Sequence, residues 1–182
     1  LRILEAVTEG RDVTYLLELV VPLGGLPLLS PLVAASAVPE LALSAKDHAE
    51  HVMIVDLVRN DLGRVARPGR VRVARLFDAL PTPYVEHLVS EIVADLRDDA
   101  GPADLLRAVF PGGSVTGCPK VRAMEVIHEL EPVGRGPAYG SVLALGADGS
   151  LEASVAIRTA WVAGGEARYW CGGAVVWDSD PE

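Results

Sequence analysis

Two acidic residues, Asp47 and Glu50, lie three positions apart in the segment S-A-K-D-H-A-E-H. If this segment is helical, both carboxylates lie on one face of the helix, where hard oxygen ligands for magnesium could converge. Acidic residues in the first turn of a helix also interact favourably with the helix dipole and need no other role. The spacing therefore permits a metal site and leaves the purely structural interpretation open.

A histidine, His87, lies within V-E-H-L-V-S, in a stretch over residues 84–96 that we predict to be helical. Its imidazole has a pKa near neutrality and could transfer a proton or donate a hydrogen bond to a departing oxygen. On such a helix, His87 would lie on the same face as apolar residues one turn away. A histidine with satisfied hydrogen bonds in the core is therefore an equally open interpretation.

Residues 111–120, P-G-G-S-V-T-G-C-P-K, form a glycine-bearing loop that precedes a predicted helix. The G-x-x-x-x-G-K-[ST] spacing of a phosphate-binding loop is absent, and no parallel βαβ unit surrounds the segment, which excludes a nucleotide site of that type. The glycines could form an anion-binding turn at the helix N-terminus. They could equally allow tight packing of the backbone.

Two further candidates lie near the C-terminal end of the sequence. Arg158, in S-V-A-I-R-T-A-W, would need a carboxylate partner from protein or substrate if it faced inward on a strand, and none if it faced solvent. The small residues of C-G-G-A, from Cys171 to Ala174, indicate close approach of the backbone to a ligand or to another strand. Their backbone N–H groups could bind a carboxylate.

The composition limits the class of substrate. Half of the 182 residues are apolar, which predicts a folded domain, and the formal net charge of -9 argues against binding to a nucleic-acid backbone. A small-molecule substrate is favoured, and an anionic one would need local cations or N–H groups. Only two cysteines occur, Cys118 and Cys171, which predicts neither a disulfide framework nor a zinc site and fits a cytoplasmic protein.

The apolar run over residues 16–43 approaches the length of a membrane span. Charge at Glu18, four prolines and glycines such as Gly24 interrupt it, so we predict one or two buried strands with proline-rich turns instead of a transmembrane helix. A hairpin loop is predicted over residues 8–12. The first residue is Leu1 instead of Met, which suggests a fragment. No secretory signal is recognisable.

Helices and strands are predicted to alternate after this run. A capping box formed by Ser44 and Asp47 begins a helix whose apolar face contains Val52, Val55, Leu57, Val58, Leu62 and Val65. The following predicted elements are a strand over 71–77, helices over 84–96, 102–109 and 119–130, and strands over 139–145, 151–162 and 167–177 with turns at 147–149 and 164–165.

Taken in order, these segments resemble the chorismate-binding domain of a family that includes component I of aminodeoxychorismate synthase, component I of anthranilate synthase, isochorismate synthases and salicylate synthases. The resemblance covers residues 44–182 through the following motifs: S-A-K-D-H-A-E-H-V-M-I-V-D-L-V-R-N-D-L-G-R-V, F-P-G-G-S-V-T-G-C-P-K-V-R-A-M-E-V-I, A-I-R-T and D-S-D-P-E. It implies an α/β (α+β) class, with two packed antiparallel sheets and flanking helices. Residues 1–43 are then an irregular segment without family motifs, and residues 44–182 are a partial chorismate-binding domain.

The resemblance also assigns roles to the candidates. It implies that Glu50 is a magnesium ligand, that Asp47 supports the hydrated Mg²⁺, and that His87 is the active-site histidine. Arg158 falls on the arginine that holds a chorismate carboxylate. Gly172, Gly173 and Ala174 fall on the family strand whose backbone N–H groups face a substrate carboxylate.

Several positions depart from the family pattern. The family usually has tyrosine or tryptophan at Ala138, whereas here Tyr139 is one place along; Tyr139 is the candidate for that substrate contact. Ala174 replaces a family glycine. The P-I-x-G-T segment is missing from residues 1–43, and the two further metal-associated glutamates and the substrate-binding lysine would follow Glu182. We therefore expect a truncated or frame-disturbed product, with residues 15–42 as the suspect region.

Within the family, the sequences S-A-K-D-x-A-E, M-I-V-D-L-x-R-N-D and W-C-G-G resemble component I of aminodeoxychorismate synthase most. That resemblance implies amination of chorismate, on the route to p-aminobenzoate and folate, with ammonia from a glutamine amidotransferase partner and Mg²⁺ as cofactor. Anthranilate synthase component I is the alternative. A third possibility is a non-catalytic remnant that binds a partner subunit.

Overall fold

The computed structural model describes residues 14–21, 28–36, 45–81, 86–147, 150–157, 159–170 and 172. Side chains are described from residue 48 onward, except at positions 80, 81, 86 and 87. The predicted hairpin loop over 8–12 and the capping residue Ser44 lie outside the described residues, as do two residues of the predicted turn over 147–149. In chain order the elements are β1 (Thr14–Val21), β2 (Leu28–Ser36), α1 (Ala45–Gly63), β3 (Ala66–Pro81), β4 (Glu86–Leu96), α2 (Pro102–Val109), α3 (Gly113–Thr116), α4 (Lys120–Leu130), β5 (Ser141–Leu145), β6 (Leu151–Val155), β7 (Ala160–Ala163) and β8 (Glu166–Tyr169).

Helix α1 confirms the predicted change to helical periodicity near residue 44. Apolar side chains buried every three or four residues give the helix one face against the core; they are Ile54, Val55, Val58 and Leu62. Val52, which we predicted on that face, is instead 50% exposed, because the buried stripe passes through Ile54. The helix ends at Gly63.

The predicted helix over 84–96 is wrong, because residues 86–96 form β4. Leu88, Ser90, Ile92 and Ala94 are all buried at a spacing of two, which is the period of a strand. β4 hydrogen-bonds on both sides, to β2 and to β3, so its long-range pairing outweighs the local helical pattern. His87 is therefore a strand residue.

All strand pairings are antiparallel. One sheet has the order β3-β4-β2-β1-β6-β5, and the β7–β8 hairpin forms a second, two-stranded sheet. The apolar run over 16–43 contains the strand β2 and most of β1, as predicted. Among the described residues, no helix is long and apolar enough to cross a membrane.

The C-terminal half largely follows the prediction. Helices α2 and α4 match the predicted spans, with Pro119 as the residue before α4. The predicted single strand over 151–162 is wrong: β6 ends at Val155 and pairs with β5, whereas β7 begins at Ala160 and pairs with β8. The hairpin turn lies at Gly164 and Gly165, whose φ angles of 62° and 81° suit glycine.

A buried ion pair joins the helices. Lys120, the first residue of α4, donates from Nζ to Asp61 Oδ2 of α1 at 2.8 Å and to the carbonyl oxygen of Ala108 in α2 at 3.0 Å. The two charged side chains are 9% and 8% exposed. Close packing adds to this contact, since a Cβ at Gly113 would lie 3.1 Å from the Cβ of Leu57. The glycine-bearing loop therefore packs directly on α1.

Replacing Lys120 by methionine should destabilise the chain by about 3–5 kcal/mol, because Asp61 would remain buried without its cation. The free energy of unfolding measured in urea tests this. The control is Arg122→Met on the same helix, whose ion pairs are exposed and which should cost no more than about 1 kcal/mol. Equal losses in the two variants would show that the buried pair has no special role.

Candidate functional site

Glu50 is a buried acidic residue of α1. It is 5% exposed and lies three positions after Asp47 in the same helix. The side chain of Asp47 lies outside the described residues. The helical spacing that we predicted for the two carboxylates is therefore present in the backbone.

The described side chains do not form a metal site by themselves. Among them, no group of three or more His, Cys, Asp or Glu residues could hold a metal ion. Glu50 supplies a hard oxygen of the type that magnesium prefers, but a magnesium site would need ligands beyond the described side chains.

A buried polar cluster packs on the same part of α1. His51 is fully buried, and its Nε2 lies 2.6 Å from Oγ of Ser90, which is also fully buried on β4. The backbone N–H of Phe77 donates to the same Oγ at 3.1 Å. The Phe77 ring stacks on His48 and meets His51 edge-on, at centroid distances of 4.4 and 5.2 Å. These contacts hold the helix turn around Glu50 against β3 and β4.

The backbone at Phe77 explains how its N–H reaches Ser90. Phe77 has a φ of 59°, which is uncommon for a residue with a side chain, and lies in an irregularity of the β3–β4 pairing between Arg75 and Asp78. Burial, together with the nearby His48, lowers the pKa of His51 to about 4. His51 is therefore neutral at physiological pH and does not add a positive charge beside Glu50.

Tyr139, the predicted substrate contact, lies in a tight turn between α4 and β5. Its φ is 59°, and its backbone N–H donates to the carbonyl oxygen of Ala156, just beyond β6, at 2.9 Å. The N–H of Ala156 in turn donates to the carbonyl oxygen of Gly140 at 2.9 Å. A Cβ at Gly140 would lie 2.8 Å from the carbonyl oxygen of Pro137, so the turn requires glycine there.

Arg135 connects this turn to the glycine-bearing loop. Its Nε and Nη2 donate to the two carboxylate oxygens of Glu131 at 2.9 and 2.6 Å, and its Nη1 donates to the carbonyl oxygen of Val115 at 2.9 Å. The guanidinium carbon lies 4.7 Å from the centroid of the Tyr139 ring, within the range of a cation–π contact. Sequence reasoning missed Arg135; its signal was the i,i+4 spacing from Glu131.

The structure brings two predicted substrate-binding residues together. A Cβ placed on Gly172 would lie 3.4 Å from the Tyr139 hydroxyl oxygen, so the phenol lies beside Gly172 at about the distance of an ordinary van der Waals contact. Gly172 lies beyond β8, which ends at Tyr169. Gly172, one of the small residues that we predicted to lie close to another group, therefore lies beside the Tyr139 side chain.

The other predicted site residues are only partly described. His87 lies in β4, where its backbone is paired with Ala35 and Leu80, but its side chain lies outside the described residues. Arg158, Gly173 and Ala174 also lie outside them. Their predicted roles stay predictions.

A groove formed by the described residues is not a site for an anion. The space within it, open solvent included, is about 610 Å³, and its lining includes apolar side chains of α1 and α2 such as Val58, Leu62 and Leu106. Its acidic residue, Asp61, is already paired with Lys120. An anionic ligand would find no free cation there among the lining residues.

Comparison with known proteins decides the family. The family model described as chorismate binding enzyme matches residues 33–182. The chain belongs to the chorismate binding enzyme family.

Relatives within this family are similar over most of the chain. The chain is 51% identical over 160 residues to aminodeoxychorismate synthase component 1 of Salmonella typhimurium. This alignment covers 87% of the chain and 35% of the relative. The chain is 48% identical over 143 residues to anthranilate synthase component 1 of Geobacillus stearothermophilus, covering 79% of the chain and 28% of the relative. The chain therefore spans about a third of the length of these relatives.

A solved structure has the same fold as this chain. Anthranilate synthase component I from Streptococcus pneumoniae TIGR4 aligns with a TM-score of 0.66 at 35% identity, covering 78% of this chain and 33% of that one. The predicted α+β family fold is confirmed.

The carboxyl group of Glu131 should titrate below its ordinary pKa. The hydrogen bonds from Arg135 lower the pKa of Glu131 more than its partial burial raises it. Because the folded-state pKa is lowered, the resulting stabilisation is present above the unfolded-state pKa and is lost as the pH falls through the folded-state value. NMR titration of the Glu131 carboxyl carbon measures this pKa directly.

In Arg135→Gln the Glu131 pKa should rise towards its ordinary value. In Arg122→Gln, which changes an exposed arginine of the preceding helix α4, it should not move. An unperturbed Glu131 pKa in the unmodified chain would contradict the strong Glu131–Arg135 contact.

Proposed function

We propose that this chain is the chorismate-binding part of a component I of aminodeoxychorismate synthase. The observation that carries the proposal is the 51% identity to a relative of that name across 87% of the chain. The reaction replaces the ring hydroxyl of chorismate by an amino group: a C–N bond forms from ammonia, the C–O bond breaks, and the hydroxyl leaves as water. The product belongs to the route to p-aminobenzoate and folate.

Binding of the substrate must overcome the charge of the protein. Chorismate carries two carboxylates, and the chain has a formal net charge of -9, so local donors are required. We assign one carboxylate to the guanidinium of Arg158 and to the backbone N–H groups of Gly172, Gly173 and Ala174. The close approach of the Tyr139 hydroxyl to Gly172 supports Tyr139 as a further donor at this end of the substrate.

His87 is the proposed catalytic residue. A histidine with a pKa near neutrality can protonate or hydrogen-bond the departing hydroxyl, which assists cleavage of the C–O bond at physiological pH. β4 also carries the fully buried Ser90, three residues later. A central strand is a rigid support for a catalytic side chain.

Magnesium is the proposed cofactor, with Glu50 as a ligand and Asp47 supporting the hydrated ion. When bound, Mg²⁺ would offset negative charge on the substrate. The burial of Glu50 and the helical spacing from Asp47 support this assignment. The remaining ligands of the ion would come from outside the described side chains.

Ammonia is proposed to come from a glutamine amidotransferase subunit, in keeping with the name component 1 of the relatives. Such a pathway enzyme would act in the cytoplasm, which the small number of cysteines in the sequence favours. Free ammonium at high concentration should replace the subunit in an assay.

Anthranilate synthase component I is the second candidate. Its 48% identity lies only three percentage points below that of the aminodeoxychorismate synthase, and the solved structure described above carries the same name. The two reactions differ in product, because anthranilate formation also eliminates pyruvate. Product analysis therefore separates them.

Incubation with chorismate, magnesium and high ammonium should yield aminodeoxychorismate, identified by chromatography against anthranilate and isochorismate standards. Anthranilate with pyruvate would replace the first candidate by the second. If no product forms while a full-length relative is active under the same conditions, the chain by itself is not catalytic. The interpretation as a remnant that binds a partner subunit would then be favoured.

Chorismate binding should depend on magnesium through Glu50. Glu50→Gln keeps the size of the side chain and removes its charge, so the magnesium concentration needed for half-maximal chorismate binding should rise on the order of 10–100-fold. Calorimetric titration at several magnesium concentrations measures this. Glu129→Gln is the matched control, because Glu129 is exposed on α4; an equal effect in both variants would argue against Glu50 as a ligand.

A further inference from the structure

Arg135 contacts its near neighbours in sequence on both sides and one residue that is distant in sequence. It binds Glu131 at the end of α4, the carbonyl oxygen of Val115 in the short helix α3, and the ring of Tyr139 in the turn before β5. Tyr139 in turn lies against Gly172. One side chain thus links the glycine-bearing loop to two residues of the proposed carboxylate site.

We propose that Arg135 is a positioning residue for substrate binding, which fixes the Tyr139 ring against the Val115 loop so that the tyrosine hydroxyl stays beside Gly172. This inference rests on the proposed function for its substrate. It adds a residue to the site whose contribution comes entirely through Tyr139 and the loop.

The hydrogen bonds of Arg135 fix the plane of its guanidinium group. Two parallel N–H···O bonds to Glu131 allow one orientation of the fork, and in that orientation Nη1 reaches the carbonyl oxygen of Val115. A lysine has a single nitrogen and cannot make this set of bonds while covering an aromatic ring. The position therefore requires the shape of arginine as well as its charge.

The contact with Tyr139 compensates for an unfavourable backbone. A φ of 59° is uncommon for tyrosine and persists only when surrounding contacts hold it. The guanidinium carbon at 4.7 Å from the ring centroid supplies such a contact, and the Arg135 side chain is only 24% exposed, which limits screening by water. The Tyr139 ring is therefore held by Arg135, which follows the end of α4.

Arg135 is not itself placed to bind a substrate carboxylate. Its Nε, Nη1 and Nη2 already donate to Glu131 and Val115, and the charge of Glu131 offsets its own. An anion would find only the two N–H donors that these bonds leave over, and the Glu131 carboxylate beside them would repel it. Its influence on substrate binding must then pass through Tyr139, and this is the point at which the inference can be tested.

The test is a double-mutant cycle on chorismate binding, measured by calorimetry in the presence of magnesium. Arg135→Gln should raise the Kd about tenfold, the size expected of a partly desolvated cation–π contact. The same change should have less than about a twofold effect when Tyr139 is already alanine, because coupled residues are not additive. Equal, additive effects of Arg135→Gln in the two backgrounds would overturn the inference.

Two further variants separate shape from charge and from general stability. Arg135→Lys should weaken binding as much as Arg135→Gln, and recovery by lysine would contradict a role for the fork geometry. Arg122→Gln changes an exposed arginine of the preceding helix α4 and should leave the Kd unchanged. A comparable loss in Arg122→Gln would mean that binding does not depend on the specific contacts of Arg135, which would also contradict the inference.

Hydrogen exchange distinguishes failure of this inference from failure of the proposed function. In Arg135→Gln, the backbone amides of residues 113–117 and 138–140 should exchange faster than in the unmodified chain, while those of β4 should not. If the unmodified chain does not bind chorismate, the proposed function fails, and the exchange data still decide whether Arg135 holds the two segments. Unchanged exchange at both segments would overturn the positioning role.

Discussion

The buried ion pair between Lys120 and Asp61 joins the two long motif segments of the sequence. Asp61 lies in the first of them, on α1, and Lys120 begins α4 in the second, with the carbonyl oxygen of Ala108 as an additional acceptor. A buried charge pair is costly to break from one side but gives little net stability when intact. Its main consequence is therefore geometric: it sets how the glycine-bearing loop lies on α1, where a Cβ at Gly113 would come within 3.1 Å of the Cβ of Leu57.

From this contact the proposed site extends in two directions. Along α1, the buried cluster of His51, Ser90 and Phe77 holds the turn that carries Glu50 against the central strand β4. Beyond α4, Arg135 connects the loop to Tyr139 and thereby to Gly172. Both connections use uncommon backbone conformations, at Phe77 and Tyr139. Such conformations often occur where a fold places functional groups.

The sequence predicted the elements whose stability is local and missed those that depend on distant pairing. Helices α2 and α4 have clear starts and ends, at Pro102 and Pro119 for example, and were predicted closely. Residues 86–96 have an apolar pattern that fits helix or strand, and only their pairing with β2 and β3 makes them a strand. The break between β6 and β7 likewise follows from pairing in two different sheets.

The candidate site shows the same division. The motif spacing identified Glu50, Tyr139 and Gly172 as candidates, and the family was recognisable from the motifs alone. The contact between Tyr139 and Gly172 joins residues 33 positions apart in the sequence, and no local pattern could reveal it. The Lys120–Asp61 pair and the support from Arg135 to Val115 are equally non-local. These contacts form only when the chain is folded.

The most direct test of this account is a crystal structure of the chain with chorismate and magnesium. The account predicts a substrate carboxylate within hydrogen-bonding distance of Arg158 and of the backbone N–H of Gly172, with the Tyr139 hydroxyl beside it. Chorismate bound instead in the apolar groove between α1 and α2, away from Arg158, Tyr139 and Gly172, would contradict it.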